Sequence, residues 1–193
     1  MAGRDTEGAA SAGSVGDGLL RYDGAEISFH WATAILVVVL YLLSQGWGFV
    51  ERGSPLRHGM QSVHVSLGLL LAAVVGLRIL WRLGPGRRLP PASTGLLELA
   101  AKLVHYLLYA LLVVIVVLGF FYRWANGDPL SFFGLFTIPS PASFTKEQAH
   151  TIGNLHYWVG TAIIVIAGLH ASAALFHRLV LRDGVLSRML PGR

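Results

Sequence analysis

The chain has 193 residues, no cysteine and a formal net charge of +5, with 54% hydrophobic and only 13% charged residues. Soluble domains carry about a quarter charged residues, so this composition, at a mean hydropathy of +0.60, belongs to a membrane protein. The lack of cysteine excludes disulfides, thiolate metal sites and covalently attached c-type haem. The basic residues flank apolar runs and form no patch, which excludes nucleic acid as a partner.

Residues 1–20 are Gly, Ala and Ser with scattered charges, which predicts a disordered tail. No apolar core follows a basic start, so this is not a signal peptide. Four apolar runs follow, at about 28–48, 60–82, 97–122 and 154–179, each near the ~20 residues that span a bilayer. The connections "ERGSPLRHG", "GPGRRLPPASTG" and "NGDPLSFFGLFTIPSPASFTKEQ" are punctuated by Pro and Gly. No run alternates as a barrel strand would, so the spanning elements are helices. The predicted fold is an all-α membrane protein, a four-transmembrane-helix bundle forming a single domain over 21–193.

Placing both termini and the loop between spans 2 and 3 on one side gives that side 11 of the 15 Lys and Arg residues. By the positive-inside rule that side is cytoplasmic. Trp31, Trp47, Trp81 and Trp124 fall near span ends, as interfacial aromatics do.

The chain has eight histidines, and ionisable groups inside spans are costly and functional by default. Spans 2 and 4 run inward, so His64 and His156 fall near the outer face. His30 and His170 fall toward the cytoplasm. His156 and His170 are fourteen residues apart. That is roughly 21 Å along a helix axis and within about 40° of four full turns, so both lie on one face at two depths. Two stacked bis-histidine b-type haems fit this pattern, each iron taking one imidazole from each side.

The residues four positions after these histidines are Ala34, Gly68, Gly160 and Ala174, all small enough to leave room for a porphyrin edge. Small residues also serve plain helix packing, and a membrane histidine can be a packing residue or a proton relay. A zinc or copper site would need ligands converging at one depth, which this spacing separates.

Arg78, fourteen residues after His64, shares its face near the inner level and suits a haem propionate; its bland role is a positive-inside anchor. His105 on span 3 is a propionate or quinone contact, or a packing residue. His177 at the inner edge is a propionate or proton-path contact. His58 and His150 are placed in loops.

The pieces "ISFHW" (27–31), "VHVSLGLLL" (63–71), "VVGLRILWRL" (74–83), "HYLLY" (105–109), "GDPLSFFGL" (127–135) and "GLHASAALFHRLVLRDGVLSRMLP" (168–191) resemble the bacterial cytochrome b561 family. The resemblance covers roughly residues 21–191. It implies a four-helix inner-membrane cytochrome with two haems b, whose iron ligands fall on His30, His64, His156 and His170. It also implies activity like that of the superoxide oxidases, which pass an electron from periplasmic superoxide to ubiquinone. His150 departs from the family pattern, and His156 keeps the spacing and the following glycine.

Arg52, Arg57, His58, Arg123 and Lys146 are the cations available to draw superoxide to the outer side. Trp158 and Tyr106 are candidate quinone contacts. Two other readings stand beside this one. The first is a membrane-anchor cytochrome b subunit serving a dehydrogenase or hydrogenase partner protein. The second is a haem-free proton-relaying transporter, which a buried carboxylate or a broken span would support.

Overall fold

The computed structural model describes residues 21–91 and 94–191. The predicted tail at 1–20 lies outside the described residues. Among these residues, four helices are long and apolar enough to cross a membrane. They are α1 (Gly24–Gly46), α2 (Pro55–Leu83), α3 (Gly95–Ala125) and α4 (Lys146–Phe176).

Each apolar run falls on one helix, runs 1 and 4 ending in the short 3-10 and π turns that follow α1 and α4, but the helices start earlier than hydropathy suggests. Capping explains the difference. Ser54 accepts from the Arg57 N–H with Pro55 at the first helical position. Thr145 and Gln148 form a capping box. These caps start helices in polar sequence, so His58 and His150 are helical rather than in loops. Helix α4 runs on into a π-helical turn, His177–Leu181, and stops at Arg182 in the left-handed region (φ 52°).

α1 packs on α2, α2 on α3, α3 on α4 and α4 back on α1, closing a four-helix bundle. A small apolar centre of Leu40, Leu71, Val75 and Leu112 fills its middle. Little else is buried. Only 6% of the most apolar window of α3 is inside the protein, leaving the outer faces for lipid.

The connections close the two ends. At one, here the distal end, strands β1 (Leu130–Phe132) and β2 (Phe136–Ile138) form an antiparallel hairpin not foreseen in the 3–4 loop. The fully buried Ser66 of α2 pins it: the Phe133 N–H donates to Ser66 Oγ (2.9 Å), which donates to the Ser131 carbonyl (3.2 Å).

At the proximal end Asp23 ties three segments. Its carboxylate accepts from the Glu26 N–H that it caps, from Trp81 Nε1 (2.9 Å) and from the Arg87 N–H (3.0 Å). The C-terminal segment folds under the same end: Trp31 Nε1 donates to the Met189 carbonyl (2.8 Å) and the Tyr22 N–H to the Arg188 carbonyl (3.1 Å). Burial raises the Asp23 pKa, but the hydrogen bonds from Arg87, Glu26 and Trp81 outweigh it and hold the carboxyl below its usual 3.8. A depressed pKa stabilises the fold above the unfolded value, and this is lost as pH falls through the folded value. Asp23→Asn is therefore expected to cost about 1 kcal/mol at neutral pH. The difference from the native chain should shrink as pH falls below the carboxyl's usual 3.8, as read by thermal unfolding in detergent.

Candidate functional site

The bundle brings the histidines together at two depths. At the distal level His64 of α2 faces His156 of α4, with ring centroids 6.3 Å apart and planes at 72°. At the proximal level His30 of α1 faces His170 of α4, with centroids 6.5 Å apart and planes at 75°. His105 of α3 joins the proximal level, its ring only 5.1 Å from that of His170. The pairing by depth is thus present in the structure, and each pair bridges two helices.

Surrounding groups orient the rings. His64 Nδ1 lies 3.1 Å from the Leu40 carbonyl. A carbonyl can only accept, so Nδ1 carries the proton and Nε2 keeps its lone pair. Trp47 stands edge-on to His64 at 5.1 Å, and Tyr122 stacks on His156 at 6.3 Å with planes 20° apart. His156 Nδ1 is buried without a hydrogen-bond partner; the Ile115 carbonyl faces it outside hydrogen-bonding geometry. Gly119 lets the His156 ring approach α3: a Cβ there would sit 3.1 Å from its Cε1. At Gly68 a Cβ would meet nothing within 4 Å, and at Gly160 only Ile115 at an ordinary 3.7 Å.

Arg78 reaches the proximal level, where Nη2 donates to His30 Nδ1 at 3.0 Å and the guanidinium lies 5.0 Å over the Tyr109 ring. Its Nε is buried and unpartnered. His177 is occupied elsewhere, paired through Nδ1 with Asp183 Oδ2 at 2.5 Å. That bond holds the Asp183 carboxyl below its usual 3.8.

Of the distal cations, Arg57 donates to the Trp47 and Val50 carbonyls, and Arg123 pairs with Asp128 at 3.0 Å. Trp158 and Tyr106 are well exposed on the bundle exterior (61% and 71%).

Four residues that the sequence reading did not single out shape these sites: Tyr122, Gly119, Leu40 and Glu26. Glu26 lies two positions before the expected start of span 1, yet α1 buries it to 3% exposure. Arg82 pairs with its Oε1 at 2.6 Å, while Oε2 has no partner.

A family model described as prokaryotic cytochrome b561 matches residues 21–192. The chain belongs to that family. This cytochrome is 32% identical over 171 residues to "Cytochrome b561 homolog 2" of Escherichia coli (strain K12), covering 88% of this chain and 91% of the relative. It is 28% identical to "Cytochrome b561 homolog 1" of the same organism, over 90% of this chain and 98% of the relative. It is 27% identical to "Probable superoxide oxidase CybB" of Yersinia pestis, over 89% and 96%. Family membership implies haem b.

The residues present fit such a group. Imidazole nitrogens bond transition-metal ions at about 2.0–2.1 Å, so two rings aimed at one ion from opposite sides hold centroids roughly 6 Å apart. The His64–His156 and His30–His170 separations match this, whereas the 5.1 Å between His105 and His170 is too short. The open space beside Gly68 and the unpartnered Nε of Arg78 agree with a bulky group carrying acceptors.

Proposed function

We propose that this cytochrome holds two haems b and conducts electrons from superoxide at its periplasmic, distal end to ubiquinone. Both termini are cytoplasmic in the bacterial inner membrane. The observation that carries the reading is the facing of two imidazole pairs, 6.3 Å and 6.5 Å apart, at two depths of one bundle. The superoxide half is supported by the name of the Yersinia pestis relative.

His64 and His156 would hold one haem, and His30 and His170 the other. Bound there, haem would supply reversible one-electron uptake and release. The chain contributes orientation and charge. The Leu40 carbonyl keeps His64 in the tautomer that leaves Nε2 free for iron.

At His30 the requirement is different. Arg78 donates to Nδ1, so the neutral ring carries its proton on Nε2. For Nε2 to serve as an iron ligand the ring proton would sit on Nδ1 instead, and Arg78 would then turn to another acceptor; a haem carboxylate would suit its fork. At the distal end the side chains of Lys146, Arg52 and His58 make no hydrogen bond or ion pair to any described residue and remain to attract an anion. Two superoxide ions give up one electron each, leaving two dioxygen molecules, and one quinone gains two electrons and two protons to become quinol.

The purified protein is expected to show a dithionite-reduced b-type spectrum at two haems per chain and to consume superoxide only with ubiquinone present. A colourless protein overturns the reading. Haem without that consumption, together with a co-purifying dehydrogenase, moves the function to an electron-transfer subunit.

A further inference from the structure

Among the described residues Glu26 is the one buried carboxylate, in the first turn of α1. Arg82 of α2 donates to its Oε1 at 2.6 Å, and its Oε2 has no hydrogen-bond partner. A buried carboxylate oxygen left unsatisfied is unfavourable and calls for a role.

Its position supplies one. On α1, Glu26 precedes His30 by four residues, one turn and about 6 Å along the axis. On α2, Arg78 precedes Arg82 by the same interval. The two helices meet as a ladder. Glu26 pairs with Arg82 on the outer rung, and Arg78 donates to His30 at 3.0 Å on the inner one. His170 of α4 and His105 of α3 complete the inner level. The outer rung reaches water, because the Arg82 side chain is 39% exposed, its guanidinium 5.3 Å over the Tyr22 ring. Glu26 is therefore one side chain from the proximal surface and one helical turn from the proximal histidines.

Few charges act on it. Arg82 and Arg78 come from α2, and Asp23 stands at the head of α1. Asp23 is committed to the Glu26 N–H, Trp81 and the Arg87 N–H. On α3, Glu98 is paired with Lys102. In the C-terminal segment, Arg188 donates to the Pro90 carbonyl.

We propose that Glu26 Oε2 binds a proton whenever an electron occupies the proximal site. The inference rests on the proposed function and gives its proximal site a task. Superoxide delivers electrons singly and a quinone takes two, so the first electron must wait. Negative charge added at the inner rung favours the protonated form of a carboxyl one turn away, through an interior that screens poorly. One electron enters the proximal site and one proton passes from proximal water to Oε2, leaving the charge inside the bundle unchanged. Both depart when the electron moves on. Arg82 holds Oε1 throughout, so the proton goes to the free oxygen.

The test is a redox titration of the holoprotein at several pH values, read on the two components of the reduced α-band. The proximal component is the one that His170→Ala removes. Each unit rise in pH should make it up to tenfold harder to reduce, about 59 mV for one electron. Glu26→Gln keeps an oxygen for Arg82 but cannot take up the proton, so the proximal slope should flatten with both haems retained. Glu26→Asp should restore part of it. In the native protein, the reduced-minus-oxidised infrared spectrum should gain a protonated-carboxyl band, which Glu26→Asp shifts. A proximal slope unchanged in Glu26→Gln overturns the proposal. So does a native spectrum that gains no such band, a result that needs no variant to fold. Two haems with a proximal potential indifferent to pH overturn this inference alone, whereas a protein without haem overturns the proposed function.

Discussion

His170→Ala is expected to bind one haem where the native chain binds two. In the proposal its imidazole is the partner of His30 at the proximal iron, and among the described residues no other imidazole faces His30 at that distance. The optical spectrum should lose one component of its reduced α-band, and haem per chain should fall by half. His64→Ala is expected to remove the other component, and the double variant should be colourless. His105→Ala separates the assignments at the crowded level. The His105 ring lies closer to His170 than the His30 ring does, 5.1 Å against 6.5 Å. That shorter distance leaves no room for an ion between the rings, so His105→Ala should keep both haems. If instead it loses the proximal haem and His30→Ala keeps it, the ligand opposite His170 is His105.

The sequence revealed the four helices and the two depths because both follow from periodicity. Apolar runs of bilayer length have only one folded solution when backbone groups must be satisfied internally. A fourteen-residue interval returns to one helix face whatever the tertiary packing. Helix starts were less legible, because hydropathy stops where the polar caps begin. Thr145, Gln148 and Ser54 begin helices in segments that read as loop. A Thr followed three residues later by Gln, "TKEQ" at 145–148, is the signal that finds the α4 start, and Ser followed by Pro at 54–55 marks the α2 start.

Residues that act by touching another element were hidden. Glu26 is a charge near a predicted span end until α2 supplies Arg82. Tyr122 is an interfacial aromatic until α4 brings His156 and Gly153 against it. Arg78 was legible as a residue at the inner level, but its bond to His30 depends on the α1–α2 contact. Glu26 also bears on the transporter reading, which a buried carboxylate would favour. Its pairing with Arg82 accounts for one of its oxygens as a structural contact between α1 and α2.

The glycines provide a test that separates room for a cofactor from room for protein. The sequence offered Gly68 and Gly160 as a matched pair, each four residues after a distal histidine, but their surroundings differ. At Gly160 a Cβ makes ordinary contact with Ile115 at 3.7 Å, so Gly160→Ala should leave both haems in place. At Gly68 a Cβ meets no protein atom within 4 Å. The Cβ of Gly68→Leu therefore collides with nothing in the protein, and the longer side chain projects over the face that His64 shares. If that space holds a porphyrin, Gly68→Leu removes the distal haem, halving haem per chain, while helix content and the proximal band persist. If the space faces only lipid, the variant keeps both haems, and the distal site as proposed is wrong. Gly119 acts from the other side. A Cβ there sits 3.1 Å from His156 Cε1 and 3.6 Å from Nδ1, so Gly119→Ala needs the ring to yield by a few tenths of an ångström, whereas Gly119→Val must push it off its position. Gly119→Val should lose the distal haem as completely as His156→Ala, and Gly119→Ala should keep it with a shifted band. Haem retained in both Gly68→Leu and Gly119→Val would leave His156 without a role as an iron ligand.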